Sequence, residues 1–264
     1  MHVLGSGLLL IASFGFGHSQ DAKQTIATVV AREEVFADQK GQYVYFSEER
    51  SDRTGGHLWL ERVAETKWGK VKYLLAEDGH PLTGARLAAE KARLARAAAD
   101  PELFKLEDAA RATEEAHAKQ LLLVLGKAYL FDPAYPEGDT LRIPFRPNPD
   151  FSPSGMEERV LHGMSGVVML DAKTLRLKGI EGRLAQDVSI GFGLATIRAG
   201  SNFSTLRGQA SGDDWKMQTQ HSDFFGRALL LKALARKQDA KHWGFQQISD
   251  ATTVAEAVKL VETP

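Results

Sequence analysis

The chain has 264 residues, 43% hydrophobic and 25% charged, which is the balance of an ordinary globular protein with one large core or two small ones. Thirty-three basic against thirty-four acidic residues leave a formal net charge of -1, so there is no basic footprint for nucleic acid. Cysteine is absent, which excludes a disulfide framework, thiolate zinc sites and a lipid anchor on an N-terminal thiol, and leaves only the histidines and carboxylates for any metal.

The N-terminus opens on an apolar run, Leu8 to Phe14, that closes on Gly17-His18-Ser19 before the first charged residue, Asp21. The run is shorter than the roughly 20 apolar residues a spanning helix needs. Its small residues fit a signal-peptidase site, although His2 stands where such leaders carry Lys or Arg. The expectation is a signal peptide over 1–19, a mature chain from Gln20, and a soluble periplasmic location.

Gln42 to Glu49 is rich in aromatic and β-branched residues and reads as a strand. After a turn at Asp52-Arg53-Thr54-Gly55-Gly56, alternation over His57–Thr66 and Val71–Leu75 predicts a β-hairpin. Gly84 to Ala99 has no β-branched residue and predicts a helix. Asp100-Pro101-Glu102 then supplies a cap, a first-position proline and an acid for a second helix, with Leu103, Leu106, His117 and Leu121 on one face. These two helices form an insert at about 84–125.

Six prolines between Pro133 and Pro153 mark an irregular crossing, after which strands resume at Val167–Leu170, Leu175–Ile180 and Arg183–Ile197. Alternation predicts that Trp215 and Met217 are buried and that Lys216, Gln218 and Gln220 are exposed. Ala228 to Ala235 reads as a strand from its place in the meander, with helix as the other reading. Thr253 and Glu256 make a capping box for a last helix whose stripe is Val254, Ala257, Val258 and Val261. Strands before and after a helical insert describe an α+β domain with a mainly antiparallel sheet.

Motifs for catalysis are weak. Ser165 beside His162 lacks the second glycine of a nucleophile elbow, because Val167 stands there, and neighbours on a strand point apart. Glu114 and His117 have di-iron spacing but form one pair where such sites need two. Gly191-Phe192-Gly193 opens no helix, and Asp213-Asp214 and Glu157-Glu158 are neighbours that rarely face one site. The segment from Asp52 to Arg62 has two readings. In one, Arg53 and Arg62 pair with nearby acids around a Gly-Gly turn. In the other, Trp59 walls an apolar pocket and an Arg anchors a ligand head group.

The leader, the tyrosine-rich first strand, the helical insert, and the run Gly166-Val-Val-Met-Leu-Asp-Ala-Lys-Thr-Leu-Arg-Leu with Ile180-Glu-Gly-Arg-Leu resemble the bacterial periplasmic lipoprotein-sorting proteins of the LolA and LolB type. The likeness in residues covers 166–184, and the Asp52–Arg62 segment and charged helices depart from the carriers. The resemblance implies a single domain over 20–264 that forms an incomplete antiparallel β-barrel, with the two central helices and the C-terminal helix covering its concave face. It also implies a carrier without catalytic residues, cofactor or metal, whose partner is an acyl chain or lipoprotein, with transient membrane-protein contact. Tyr45, Trp59, Tyr73, Phe192, Arg53 and Arg62 are then the candidate ligand-binding residues. The competing expectation is a non-catalytic cell-envelope interaction protein whose core is closed and filled by its own chain.

Overall fold

The computed structural model describes residues 16–38, 41–106, 125–190, 195–228 and 237–263. The chain begins with helix α1 (Phe16–Asp38), followed by β1 (Gln42–Ser51), β2 (Leu58–Thr66), β3 (Gly69–Glu77) and β4 (His80–Pro81). Helix α2 (Gly84–Ala99) leads to a further helical stretch at 101–106, where the Asp100 carboxylate accepts from the Leu103 amide at 3.0 Å. Next come β5 (Tyr129–Phe131), β6 (Tyr135–Glu137), β7 (Thr140–Pro147), α3 (Met156–His162), β8 (Met164–Asp171) and β9 (Leu177–Leu184). The chain finishes with β10 (Val188–Ile190), β11 (Ala195–Ile197), β12 (Asn202–Ser211), β13 (Asp214–Asp223), β14 (Gly226–Ala228), β15 (Lys237–Ile248) and α4 (Val254–Glu262).

Twelve strands make one antiparallel sheet in the order β4-β3-β2-β1-β15-β13-β12-β9-β8-β7-β5, with β6 also on β7. The path runs from β4 to β5 without closing, so the architecture is α+β with an open, mainly antiparallel sheet and a C-terminal helix packed on it, as the sequence implies. A three-stranded sheet, β10-β11-β14, lies apart. Among the described residues no helix is long and apolar enough to cross a membrane.

The cross-strand register follows one face through the sheet. Glu49, Ala240, Gln220, Thr205, Ile180, Val168 and Ile143 are successive lateral neighbours, and paired residues share a face. On this face Lys216 of β13 reaches over the Tyr43 ring to the Glu65 carboxylate of β2, 2.9 Å away. Three strand spacings on a flat sheet span about 14 Å, beyond the reach of these two side chains, so the sheet curls toward this side. It is the inner face.

Helices take both faces. On the outer face, Val44, Ala64 and Val71 of β1–β3 pack against Leu94 of α2 and against Val254, Ala257, Val258 and Val261 of α4. The stripe of α4 is the one its periodicity predicts, and the Thr253–Glu256 capping box is present. On the inner face at the other end, Ala22, Ile26 and Val29 of α1 pack on Ile143, Phe145, Val168 and Leu170. The predicted cleavage point after Ser19 therefore falls within α1, ahead of its packed residues. The apolar leader and most of the second insert helix, including Glu114 and His117, lie outside the described residues.

Three readings need correction. The first insert helix, α2, and the C-terminal helix cover the outer face and α1 takes the concave one, because the apolar outward side of β1–β3 is where their stripes pack. Arg183–Ile197 is not one strand: β9 ends at Leu184, and Val188 then pairs with Ile197 as β10 turns back on β11. Asp187 holds that reversal by accepting from the Ala199 amide and the Arg198 guanidinium, each at 2.8 Å. In β13 the burial is reversed at its centre. Lys216 is 9% exposed whereas Trp215 and Met217 are half-buried, because the Lys216 ammonium finds the Gly41 carbonyl and Glu65, both at 2.9 Å. A strand is present at Gly226–Ala228, but residues 229–236 lie outside the described residues.

Candidate functional site

A dense group of ionisable side chains on the inner face is built by the turn between β1 and β2. Gly55 and Gly56 have φ of 64° and 82°, the left-handed region that only glycine adopts cheaply, and this lets the chain reverse within a few residues. Thr54 fastens the reversal by accepting from the Ser51 amide at 3.0 Å and donating its hydroxyl proton to one of two backbone carbonyls of the turn, Ser51 or His57. Arg53 is thereby folded back over the sheet.

Its guanidinium forks two carboxylates. Nη2 donates to Glu49 Oε2 at 2.6 Å and to Glu61 Oε2 at 2.8 Å, Nη1 donates to Glu61 Oε1 at 3.1 Å, and Nε reaches both oxygens of Glu49 at 3.2 Å. The Ser51 hydroxyl gives Glu49 a further bond at 2.5 Å. The carboxylate side chains are only 9% and 4% exposed, whereas that of Arg53 is 38% exposed. Burial raises the Glu49 pKa, but the hydrogen bonds and charge of Arg53, with Ser51, outweigh it and hold the group below the usual carboxylate range. The Trp59 ring lies 5.2 Å from the guanidinium, and its indole N–H donates to Glu77 at 3.3 Å.

Lys72 and His242 complete the group. Burial pulls both below their ordinary values, Lys72 despite the attraction of Glu61 and Glu49, and His242 despite donating from Nδ1 to the Met217 carbonyl at 3.1 Å. The His242 ring meets Tyr45 edge-on at 5.4 Å, and Tyr45 lies against Phe245 at 4.9 Å.

The structure thus puts Tyr45, Trp59 and Arg53 on one face and separates the rest of the six. Tyr73 packs at the margin of the outer-face core under α2 and α4. Arg62 also faces outward, with its guanidinium 4.4 Å above the Phe46 ring and its Nε buried without a hydrogen-bond partner among the described residues. Phe192 lies outside the described residues, as do Gly191 and Gly193. Glu49, Lys72 and His242 are not singled out in the sequence, and Glu61 enters only as a member of the Asp52–Arg62 segment. Period-2 alternation from Tyr43 and Tyr45 does place Glu49 inward, but the partners across the sheet have no local sequence signal.

Four of the five N–H donors of Arg53 are engaged by the carboxylates of Glu49 and Glu61. A ligand carboxylate could take a bidentate grip on it only by displacing a buried glutamate, which is costly. Of the two readings of this segment, the geometry shows internal pairing for Arg53. The other candidates are also dispersed. The His162 ring Nε2 sits 2.8 Å from the Asn148 carbonyl at the end of α3, while Ser165 is in β8. Asp214 accepts from the Gly41 amide at 2.8 Å and the Tyr43 hydroxyl at 3.0 Å, and Glu158 accepts from Ser154. Among the described residues no group of three or more His, Asp and Glu side chains could hold a metal. A recess of about 220 Å³ opens between α1 and Leu175, lined also by Thr28, Val29 and Arg32. A broader trough of about 660 Å³ runs along Ala27, Ala31, Val35 and Phe36 of α1.

No protein-family model, curated protein or solved structure matches this chain.

Proposed function

We propose that the protein is a non-catalytic interaction protein of the cell envelope whose sheet interior is filled by its own chain. The observation that carries this reading is the seating of α1. Its Ala22, Ile26 and Val29 occupy the inner face over Ile143, Val168 and Leu170, where an acyl chain would have to lie. The other end of that face is taken by the Arg53 network, which is polar and whose two buried carboxylates are paired internally. An acyl carrier needs the opposite, a vacant apolar recess with a few free polar anchors.

The carrier reading remains as the second, supported by the trough along Ala27, Ala31, Val35 and Phe36, whose volume of about 660 Å³ would admit an alkyl chain. Each buried methylene contributes roughly 0.8 kcal/mol, so an acyl ligand would bind measurably if such a site accepted it. Titration of the purified protein with a fluorescent fatty-acid probe separates the two. The interaction reading expects no saturable binding and no lipid in an organic extract. Saturable binding displaced by long-chain lipid would overturn it.

A further inference from the structure

The outer edge of β3 is closed by side chains where a strand would be expected. β4 pairs with Ala76 and Glu77, and the Leu82 amide just after it donates to the Leu75 carbonyl at 3.1 Å, so residues 69–74 have no strand neighbour on that side among the described residues. In its place, α2 presents one acid and one base three residues apart. Glu90 Oε1 accepts from the Leu74 amide at 2.9 Å, and Arg93 Nη2 donates to the Lys72 carbonyl. The two side chains bind each other at 2.7 and 2.9 Å. An acceptor for one N–H and a donor for the C=O two residues earlier is what a neighbouring strand supplies. Bare edges of this kind pair with other chains unless something covers them.

We propose that the β3 edge at residues 70–74 is a docking site for an extended peptide with carboxylates at alternate positions, held shut by Glu90 and Arg93. The charge of the edge selects the occupant. Lys70 and Lys72 alternate with Val71 and Tyr73, so both lysines border the inner face, and an incoming strand would set every second side chain beside them. Carboxylates at those positions suit the lysines, with apolar residues between them facing the Val71 side. Lys70 faces Glu65 at 4.0 Å and Lys72 is attracted by Glu61 and Glu49, yet burial, with Arg53 and Lys70 adding repulsion, still disfavours the Lys72 charge, so a further carboxylate beside it is favourable. A second copy of β3 fits poorly, because antiparallel self-pairing brings the two lysine rows onto one face, where opposed like charges destabilise a sheet.

The proposal rests on the interaction reading above and fails separately from it, since saturable fatty-acid binding overturns that reading and leaves the edge untouched. The test is fluorescence anisotropy of a labelled peptide of alternating Glu and Val against the full chain. The Glu90→Ala/Arg93→Ala variant should bind at least about tenfold more tightly than wild type. Adding Lys72→Glu should abolish the gain, and a peptide of alternating Lys and Val should not bind. If the double variant does not fold, Arg93→Leu, which takes the donor off the Lys72 carbonyl and leaves Glu90 on the Leu74 amide, makes the same comparison. Equal affinity of the open and wild-type chains, or binding indifferent to Lys72→Glu, would overturn the proposal. So would concentration-dependent dimerisation of the open variant without peptide affinity, which would assign the edge to a second copy.

Discussion

Glu33 of α1 and Arg176, at the entry to β9, are separated by 143 residues and form a buried ion pair at 2.8 Å, with side chains only 7% and 5% exposed. Arg207 of β12 supplies the second cation at 2.7 Å, and the Leu177 amide donates to the same carboxylate at 3.3 Å. Arg176 also donates to the Asp213 carbonyl and lies 3.9 Å from the Phe36 ring. One carboxylate thus pins α1 to two strands and to the turn before β13.

This pin should make the protein acid-sensitive. Burial raises the Glu33 pKa, but the hydrogen bonds and charges of Arg176 and Arg207 outweigh it and bring the folded value below the ordinary 4.5. A depressed folded pKa means that the unfolded chain takes up the proton first. The stabilisation is therefore complete above about pH 4.5 and is lost as pH falls toward the folded value. Glu33→Gln should lower the urea midpoint at neutral pH and flatten its decline below pH 4.5. Glu33→Ala, which leaves two buried guanidinium groups unpaired, should cost about 3–5 kcal/mol.

Arg53→Ala tests whether this arginine is internal structure. It strands Glu49 and Glu61, and a loss of about 2–3 kcal/mol is expected, less than for a fully buried pair because the guanidinium is partly exposed. Denaturant unfolding of Arg53→Ala beside Arg50→Ala, whose ion pair with Asp78 is long and exposed, gives the comparison; the latter should change stability by less than about 1 kcal/mol.

His242 should titrate below its ordinary 6.5, because burial, with Lys70 and Lys72 adding repulsion, disfavours the imidazolium more than the Met217 carbonyl and Glu49 favour it. The unfolded chain then binds the proton first, so stability is lost as pH falls from 6.5 toward the folded value. The histidine ring signals in an NMR titration check the direction directly. His242→Phe should remove that part of the pH dependence.

Lys216 is the residue of β13 whose removal should cost most. Lys216→Ala leaves the Gly41 carbonyl and Glu65 without their donor and is expected to cost about 2–3 kcal/mol. Gln218→Lys, on an exposed position of the same strand, should stay within about 0.5 kcal/mol. Thermal unfolding of both variants distinguishes this register from one in which the lysine faces solvent.

The elements governed by local pattern were legible in the sequence. The β2–β3 hairpin, α2, the Asp100 cap and the α4 capping box all follow from alternation, helix formers and capping residues. The burial of Lys216 was not, because alternation assigns faces but cannot know that β13 bends over the inner face toward Glu65. The break after Leu184 escaped for a similar reason: its fastening, Asp187 to Ala199, is a contact across the reversal. At the candidate site, Arg53 and Trp59 were visible as an unusual cluster. Glu61 belongs to them only once β1 and β2 are paired in register.

Hydrogen exchange along α1 tests the filled interior most directly. If the helix is an integral part of the core, the amides from Ala22 to Val29 should exchange as slowly as those of β7 and β8, through global unfolding alone. Exchange of those α1 amides orders of magnitude faster than the strands, in a protein otherwise folded, would show an inner face that opens on its own and would contradict the account.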